Sequence, residues 1–331
     1  MAVTNVPIWR DEYVGLGSVS SRSYVVKLGG GTIYAGTAYA RPGESVPYVL
    51  INDIAAPYLS QNDTCLDVEN GNFYSAADII KTFKIYDANN VQYGNDLACY
   101  LNCEDDGRTV NGSNGAHAPI NSRVMDGMPI ILTAYNSSVL DHDGGGTTKV
   151  RVRYSTEATA SPVLNWNAAG NYTVLADFTG HPGAKWVKIN GFQYDLVESC
   201  AARYALYYVN AYGAWDFLVI EGAAQEGRRY TRHELARVHN NADVQSREIW
   251  NYANESRRTW VLHTGWIDET GAERMHHLIG STLVYLYDAD GQIFRPVVVT
   301  DTEVTVRRYE QEGKPVSYAI TVEEGREGLR R

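Results

Sequence analysis

Nowhere in the chain does an unbroken apolar run approach the roughly eighteen residues of a membrane-crossing helix. The N-terminal MAVTNVPIWRDEYVG has neither the basic n-region nor the apolar h-region of a signal peptide. No membrane span is expected, and the chain reads as a soluble protein made in a cytoplasm. Cysteine is scarce: Cys65, Cys99, Cys103 and Cys200 form no CxxC pair and have no ligand-spaced partners, so buried reduced thiols are expected in place of disulfides or zinc. A dominant positive charge is missing as well. The 39 acidic and 29 basic side chains divide as 16 and 11 in residues 1–155 and 23 and 18 in the remainder, which leaves −5 in each part. With no basic face implied, sequence-specific nucleic-acid binding is not expected.

The signatures of catalysis are missing in the same way. There is no GxSxG elbow, no catalytic-cysteine motif and no HExxH. His276 and His277 are adjacent, about 100° apart on a helix and unsuited to joint metal ligation; one at the core edge and one in solvent near a helix C-terminus is the expectation. GLGSVS lacks the third glycine of a phosphate loop, and Gly29-Gly30-Gly31 runs into a strand as hairpin tips do. The loop 141–146, DHDGGG, has no EF-hand spacing and no terminal Glu, and reads as another hairpin tip. Asp195, Glu198, Asp216 and Glu221 lie on aromatic-rich strands and are the carboxylates from which a glycoside hydrolase pair would be drawn. Five Asn-x-Ser/Thr triplets, at Asn62, Asn111, Asn136, Asn171 and Asn254, read as polar loops. No enzyme, cofactor or metal is expected, and no catalytic, cofactor-binding or metal residue is assigned.

What the chain does have is turn chemistry. Asn70-Gly71, Asp106-Gly107, Asn111-Gly112, Asn114-Gly115, Asp126-Gly127 and Asp143-Gly144 supply residues tolerant of positive φ. Between them run SYVVKL, TIYAGTAYA, VPYVLI, TFKIYDA, LACYLN, MPIILTAY and TKVRVRY, alternating or β-branched. Strands at this spacing predict an antiparallel sandwich, with SAADIIKTF the one helix-like segment of this half. The polar run 104–119 is long for a compact domain and reads as disordered or as a contact arm. Small polar text around 155–161 suggests a boundary, hence a sandwich domain 1–158 and a second β domain 159–331.

The second part opens on YTVLADF, AKWVKING, FQYDLVES, RYALYYVN and WDFLVIEG, strands heavy in aromatics that suit a core, a subunit interface or a sugar-binding surface. Residues 222–258 then bring seven arginines, five acids and few apolar side chains, which reads as a helix–loop pair or a long twisted hairpin. In 259–322 the period changes twice. TWVLHTGW alternates as a half-buried strand, with Trp260, Leu262 and Thr264 on one face. Residues 268–279 then form a helix: Asp268 caps, and Ile267, Ala272, Met275, Leu278 and Ile279 share a face. LVYLY and IFRPVVV form a hairpin about Asp290-Gly291, with Pro296 marking an edge or a strand start, and EVTVRR and VSYAITVE close the unit.

The string CAARYALYYVNAYGAWDFLVIEG, followed by this strand–helix–hairpin unit, resembles the C-terminal part of distal tail and minor tail proteins of long-tailed bacteriophages and prophages of Bacteroides-like bacteria. The likeness covers 200–331; PIW, AYARPGE and INDIAAPYL tie the first part to the same proteins more loosely. It implies a mainly β, tail-tube-like fold and a structural virion protein of the tail tip. The resemblance implies a homo-oligomeric ring, six-fold, between tail tube protein and tip or fibre proteins. Residues 222–258 would be its oligomerisation arm. The alternatives are a carbohydrate-binding adhesin, whose N-terminal domain engages host surface glycan, and a polysaccharide hydrolase.

Overall fold

The computed structural model describes residues 3–7, 13–60, 66, 73–75, 80–100, 122–134, 149–165, 170–189, 192–197, 203–210, 214–236, 249–301, 317–325 and 328–330. The fold is mainly β, built from several sheets of largely antiparallel strands in a β-sandwich-like manner. It divides into two compact units, each assembled from separate stretches of chain. One comprises Met1–His117, Pro129–Gln193 and Val209–Trp215; the other comprises Ala118–Met128, Tyr194–Tyr208 and Asp216–Arg331.

The boundary expected at 158/159 falls inside a hairpin. Strands Lys149–Tyr154 and Ser161–Asn165 pair across it, Lys149 opposite Asn165 and Val152 opposite Ser161. The small polar residues between them serve a tight turn: Glu157 accepts the Tyr154 amide at 3.0 Å, and Ser155 Oγ accepts the Lys185 amide at 2.9 Å. Turn chemistry and linker chemistry use the same residue types, which is why composition misplaced the division.

In the first unit, Val3–Pro7 lies parallel to Gln92–Tyr100, which continues antiparallel through Ile80–Asp87 and Ser21–Leu28 to Gly31–Tyr39. Period-two alternation sends Tyr24 and Val26, Phe83 and Ile85, and Leu97 and Cys99 into one core. Gly29 and Gly30 turn the Ser21–Leu28 hairpin at φ 56° and 89°, the left-handed region open to glycine, as a hairpin tip requires. The described parts of SAADIIKTF are strand: Ser75 ends Phe73–Ser75 and Ile80 to Phe83 opens Ile80–Asp87, while 76–79 lie outside the described residues. The helix lies instead at Ile51–Ala55, continued by a 3₁₀ turn Ala56–Tyr58, and it delivers Ile51, Ala55 and Leu59 to the core. Five residues are too few for a helical period to show in the sequence. Asn171, read as a polar loop, is fully buried in strand Gly170–Ala176. Cys99 is buried as expected; the other three cysteines, and the loops 104–119 and 141–146, lie outside the described residues.

The second unit is organised by one long sheet: Trp215–Val219, Tyr204–Val209, Val284–Asp288, Ile293–Val299, Ala319–Glu324, Ile249–His263 and Ala224–Ala236, with Gly328–Arg330 also on Ile249–His263. Tyr204, Leu206, Tyr208, Trp260, Leu262, Leu286, Ile320 and Val322 meet Ile267, Met275 and Leu278 in its core. These last three belong to the helix Glu269–Ile279 and its approach, as expected from the sequence. Asp268 accepts the Gly271 amide at 2.6 Å and so caps it. On the other face Tyr207, Phe217, Tyr287 and Phe294 form an aromatic cluster with centroids 4.9 to 5.9 Å apart. Strands Tyr204–Val209 and Val284–Asp288 are therefore buried on both faces, which explains their unbroken apolar text. Pro296 stands within an inner strand, where the ladder to Ala319–Glu324 ends, so the amide hydrogen it lacks is not called on there. EVTVRR lies outside the described residues.

Candidate functional site

The arginine-rich segment is a hairpin. Ala224–Ala236 and Ile249–His263 pair from Ala224 opposite Leu262 to Ala236 opposite Ile249, with one bulge at His233/Glu234. Ile249–His263 is held by Ala319–Glu324 along residues 259–263, and by Gly328–Arg330 along 254–256. Among the described residues the rungs beyond have no third strand. Among the described strands Ala224–Ala236 is the edge of the sheet, and from Ala224 to Arg232 every side chain is exposed.

The register puts like charges face to face. Arg228 stands opposite Arg258, and Arg229 opposite Arg257, on consecutive rungs and hence on opposite faces of the ribbon. Glu226 lies 4.0 Å from Arg258, and Glu323 lies 2.9 Å from Arg229. Farther out, His233 Nε2 meets Glu255 at 3.0 Å. Tyr230 projects between the arginines with 58% of its surface exposed. The segment is thus a cationic, aromatic-bearing edge on a chain of net charge −10.

Of the four carboxylates singled out in the sequence, Asp195, Asp216 and Glu221 lie among the described residues, with Asp195 opposite Arg123 in the sheet. Asp216 is buried and accepts the amide of Phe217 at 2.8 Å. Glu221 is salt-bridged to Arg123 at 3.6 Å. Five residues of extended chain separate these two by about 16 Å, against the roughly 5–9.5 Å at which glycosidase carboxylates act. Asp195 sits half-buried on strand Phe192–Leu196, and Glu198 lies outside the described residues. Burial, and then the charge of Asp216, push the hydroxyl of Tyr194 well above the usual tyrosine range, so it stays protonated. His276 is exposed and His277 half-buried at the end of their helix, with ring centroids 3.9 Å apart. Among the described residues no three His, Cys, Asp or Glu side chains gather as metal ligands, and no helix is long and apolar enough to cross a membrane.

Sequence reasoning did not find a second surface, in the first unit. Tyr13, Tyr34, Tyr39, Tyr48 and Tyr58 all present rings to solvent, Tyr39 with 73% of its area. Tyr13–Gly15 and Tyr48–Leu50 form a small ribbon in which Gly15 faces Tyr48, so Tyr13 and Tyr48 share a face. The Arg41 guanidinium lies 5.5 Å from the Tyr13 centroid. In the sequence these tyrosines look like any strand aromatic; only the burial separates them from Tyr24. Compared with family models, curated proteins and solved structures, the chain matches none.

Proposed function

We propose that the chain is a structural subunit that associates with copies of itself through the edge hairpin. In the setting its sequence resembles, it is a ring-forming protein at the distal end of a bacteriophage tail, between the tube and the tip or fibre proteins. The observation that carries the reading is the exposed edge strand Ala224–Ala236, with its surplus of arginine. An isolated two-stranded ribbon is marginally stable in water, and an edge strand offers a row of unpaired amides and carbonyls to another chain. Guanidinium groups suit a contact with carboxylates, which the net acidic chain supplies on a second copy. Tyr230 has the amphipathic ring favoured at the centre of interfaces. A head-to-tail contact of this kind yields a ring if it closes and a filament if it does not.

The test is triple charge reversal, Arg228→Glu with Arg229→Glu and Arg232→Glu, followed by sedimentation velocity and by electron microscopy of assembled particles. Loss of assembly from a monomer with unchanged circular dichroism is expected. Normal assembly of the triple variant, or location of the protein on a capsid, rejects the reading.

A second reading, a carbohydrate-binding adhesin, is favoured by one observation, the five exposed tyrosines of the first unit. The two readings are compatible, because one unit carries the arm and the other the tyrosines.

A further inference from the structure

We infer that the first unit carries a binding groove for an acidic sugar, at Lys27, Thr82, Lys84, Tyr86 and the hairpin tip Gly29-Gly30. This rests on the carbohydrate reading and gives it a place and a ligand class. The groove encloses about 360 Å³ and lies on the solvent face of the five-stranded sheet, over the inner strands Ser21–Leu28 and Ile80–Asp87. That volume is at the lower end of the range for small-ligand pockets, enough for a sugar unit or two.

The sheet register makes the groove unusual. Lys27 and Lys84 stand directly opposite each other on neighbouring strands, where like charges oppose pairing. Lys84 has a carboxylate partner, Asp96 at 3.0 Å. Lys27 Nζ lies over the ring of Tyr86, 4.5 Å from its centroid, and donates to the neutral side-chain oxygen of Asn90 at 2.6 Å. Among the described residues the pair of cations is therefore met by one anion, and one positive charge stands in excess beside an open cavity. At physiological salt, charges beyond about 8 Å are largely screened, so this local surplus outweighs the net negative charge of the whole chain.

The rest of the lining selects among anions. The aliphatic stems of the two lysines and the half-buried ring of Tyr86, over which Lys27 Nζ lies, line the groove and give the hydrogen-bearing face of a pyranose apolar surface to lie against. Thr82 adds a hydroxyl able to donate or accept. No atom comes within 4 Å of where a side chain would stand at Gly29 or Gly30, so the tip leaves its backbone open to a ligand. A ring with an apolar face, several hydroxyls and one carboxylate, a hexuronate-type unit of an acidic polysaccharide, matches each of these surfaces. An inorganic anion would use the lysines and leave the apolar surface idle.

The experiment is isothermal titration of the full chain with trigalacturonate, with neutral galactotriose and with inorganic phosphate. Trigalacturonate is expected to bind at least tenfold more tightly than either comparator, with affinity falling as sodium chloride rises. The double variant Lys27→Gln, Lys84→Gln is expected to lose at least tenfold. Thr82→Glu, at an exposed position where folding is not at stake, is expected to abolish binding by placing a carboxylate in the groove. Equal affinity for galactotriose, equal affinity for phosphate, or binding indifferent to Thr82→Glu each overturns the assignment. If a neutral glycan binds and is lost with Tyr39→Ala but kept with Thr82→Glu, the groove falls and the carbohydrate reading survives.

Discussion

Arg228→Gln separates assembly from stability. Arg228 faces Arg258 across the hairpin, and among the described residues the acid that meets this rung is Glu226, 4.0 Å from Arg258. Two unit charges about 6 Å apart in water repel by about 0.7 kcal/mol, which screening at physiological salt lowers to about 0.3 kcal/mol. That lies within the roughly 0.2–1 kcal/mol found for cross-strand pairs. Removing the Arg228 charge should therefore leave the monomer unchanged or stabilise it by about 0.3 kcal/mol, roughly 1 °C in Tm. Arg229→Gln should behave oppositely. It strands Glu323, whose carboxylate is only 14% exposed and accepts from Arg229 at 2.9 Å. Because Arg229 itself is 71% exposed, the loss is held to about 0.5–1 kcal/mol. Urea denaturation followed by tryptophan fluorescence reads the first quantity, and sedimentation velocity across a salt series reads association. Both variants should weaken association while moving stability in opposite directions. A monomer destabilised by more than about 1 kcal/mol in Arg228→Gln would mean that Arg228 is held within its own subunit, and would refute the reasoning.

Asp268→Ala removes the cap on the Gly271 amide and should cost about 1 kcal/mol in urea denaturation, with Asp268→Asn retaining most of it. Asn171→Ala leaves the Thr133 hydroxyl, which donates to Asn171 at 2.7 Å and accepts the Trp215 amide at 3.1 Å, without its buried acceptor. The expected cost is about 1–3 kcal/mol, with faster hydrogen exchange at the Trp215 amide. Burial, and then the neighbouring Tyr34, raise Tyr24 from 10.0 to about 12. A raised folded-state value gives stability that is complete below the unfolded value and is lost as pH climbs through the folded one, so stability should fall between about pH 10 and 12. Spectrophotometric titration of phenolate should show Tyr24→Phe losing less stability than the parent over that window.

Much of the fold was legible because burial imposes a period on text. Trp260, Leu262 and Thr264 alternate into the core and are read correctly from TWVLHTGW. The helix at Glu269–Ile279 announces itself by a cap and a 3.6-residue stripe of Ala272, Met275 and Leu278. Three things were not legible, each for a physical reason. Ile51–Ala55 is too short to complete two turns. Asn171 is polar, but its partner Thr133 is 38 positions away in the chain, so its burial in a strand has no local sign. The two units are woven from alternating stretches, and no composition shift marks where a chain leaves one core for another.

The candidate surfaces share a cause that sequence cannot expose. Lys27 opposite Lys84, Arg228 opposite Arg258, Arg229 opposite Arg257 and Arg153 opposite Lys188 are four like-charged rungs in an acidic chain. Each opposes its own sheet, so each marks a place where local pairing has been subordinated to something else. The Arg153–Lys188 rung is accounted for within the subunit, since both cations lie over the ring of Trp186, at 5.4 and 5.6 Å. The Lys27–Lys84 rung is met by Asp96, Asn90 and the ring of Tyr86 and sits at the groove, and the two arginine rungs sit at the edge hairpin. Register is what creates these rungs, and register depends on bulges. Pairing shifts between Val26 and Lys27 on one side of the groove and between Phe83 and Ile85 on the other. A slip of one residue would turn each lysine to the opposite face of its sheet and dissolve the site. The chemistry of these surfaces is therefore set by a property of paired strands, and it could be recognised only once the pairing was known.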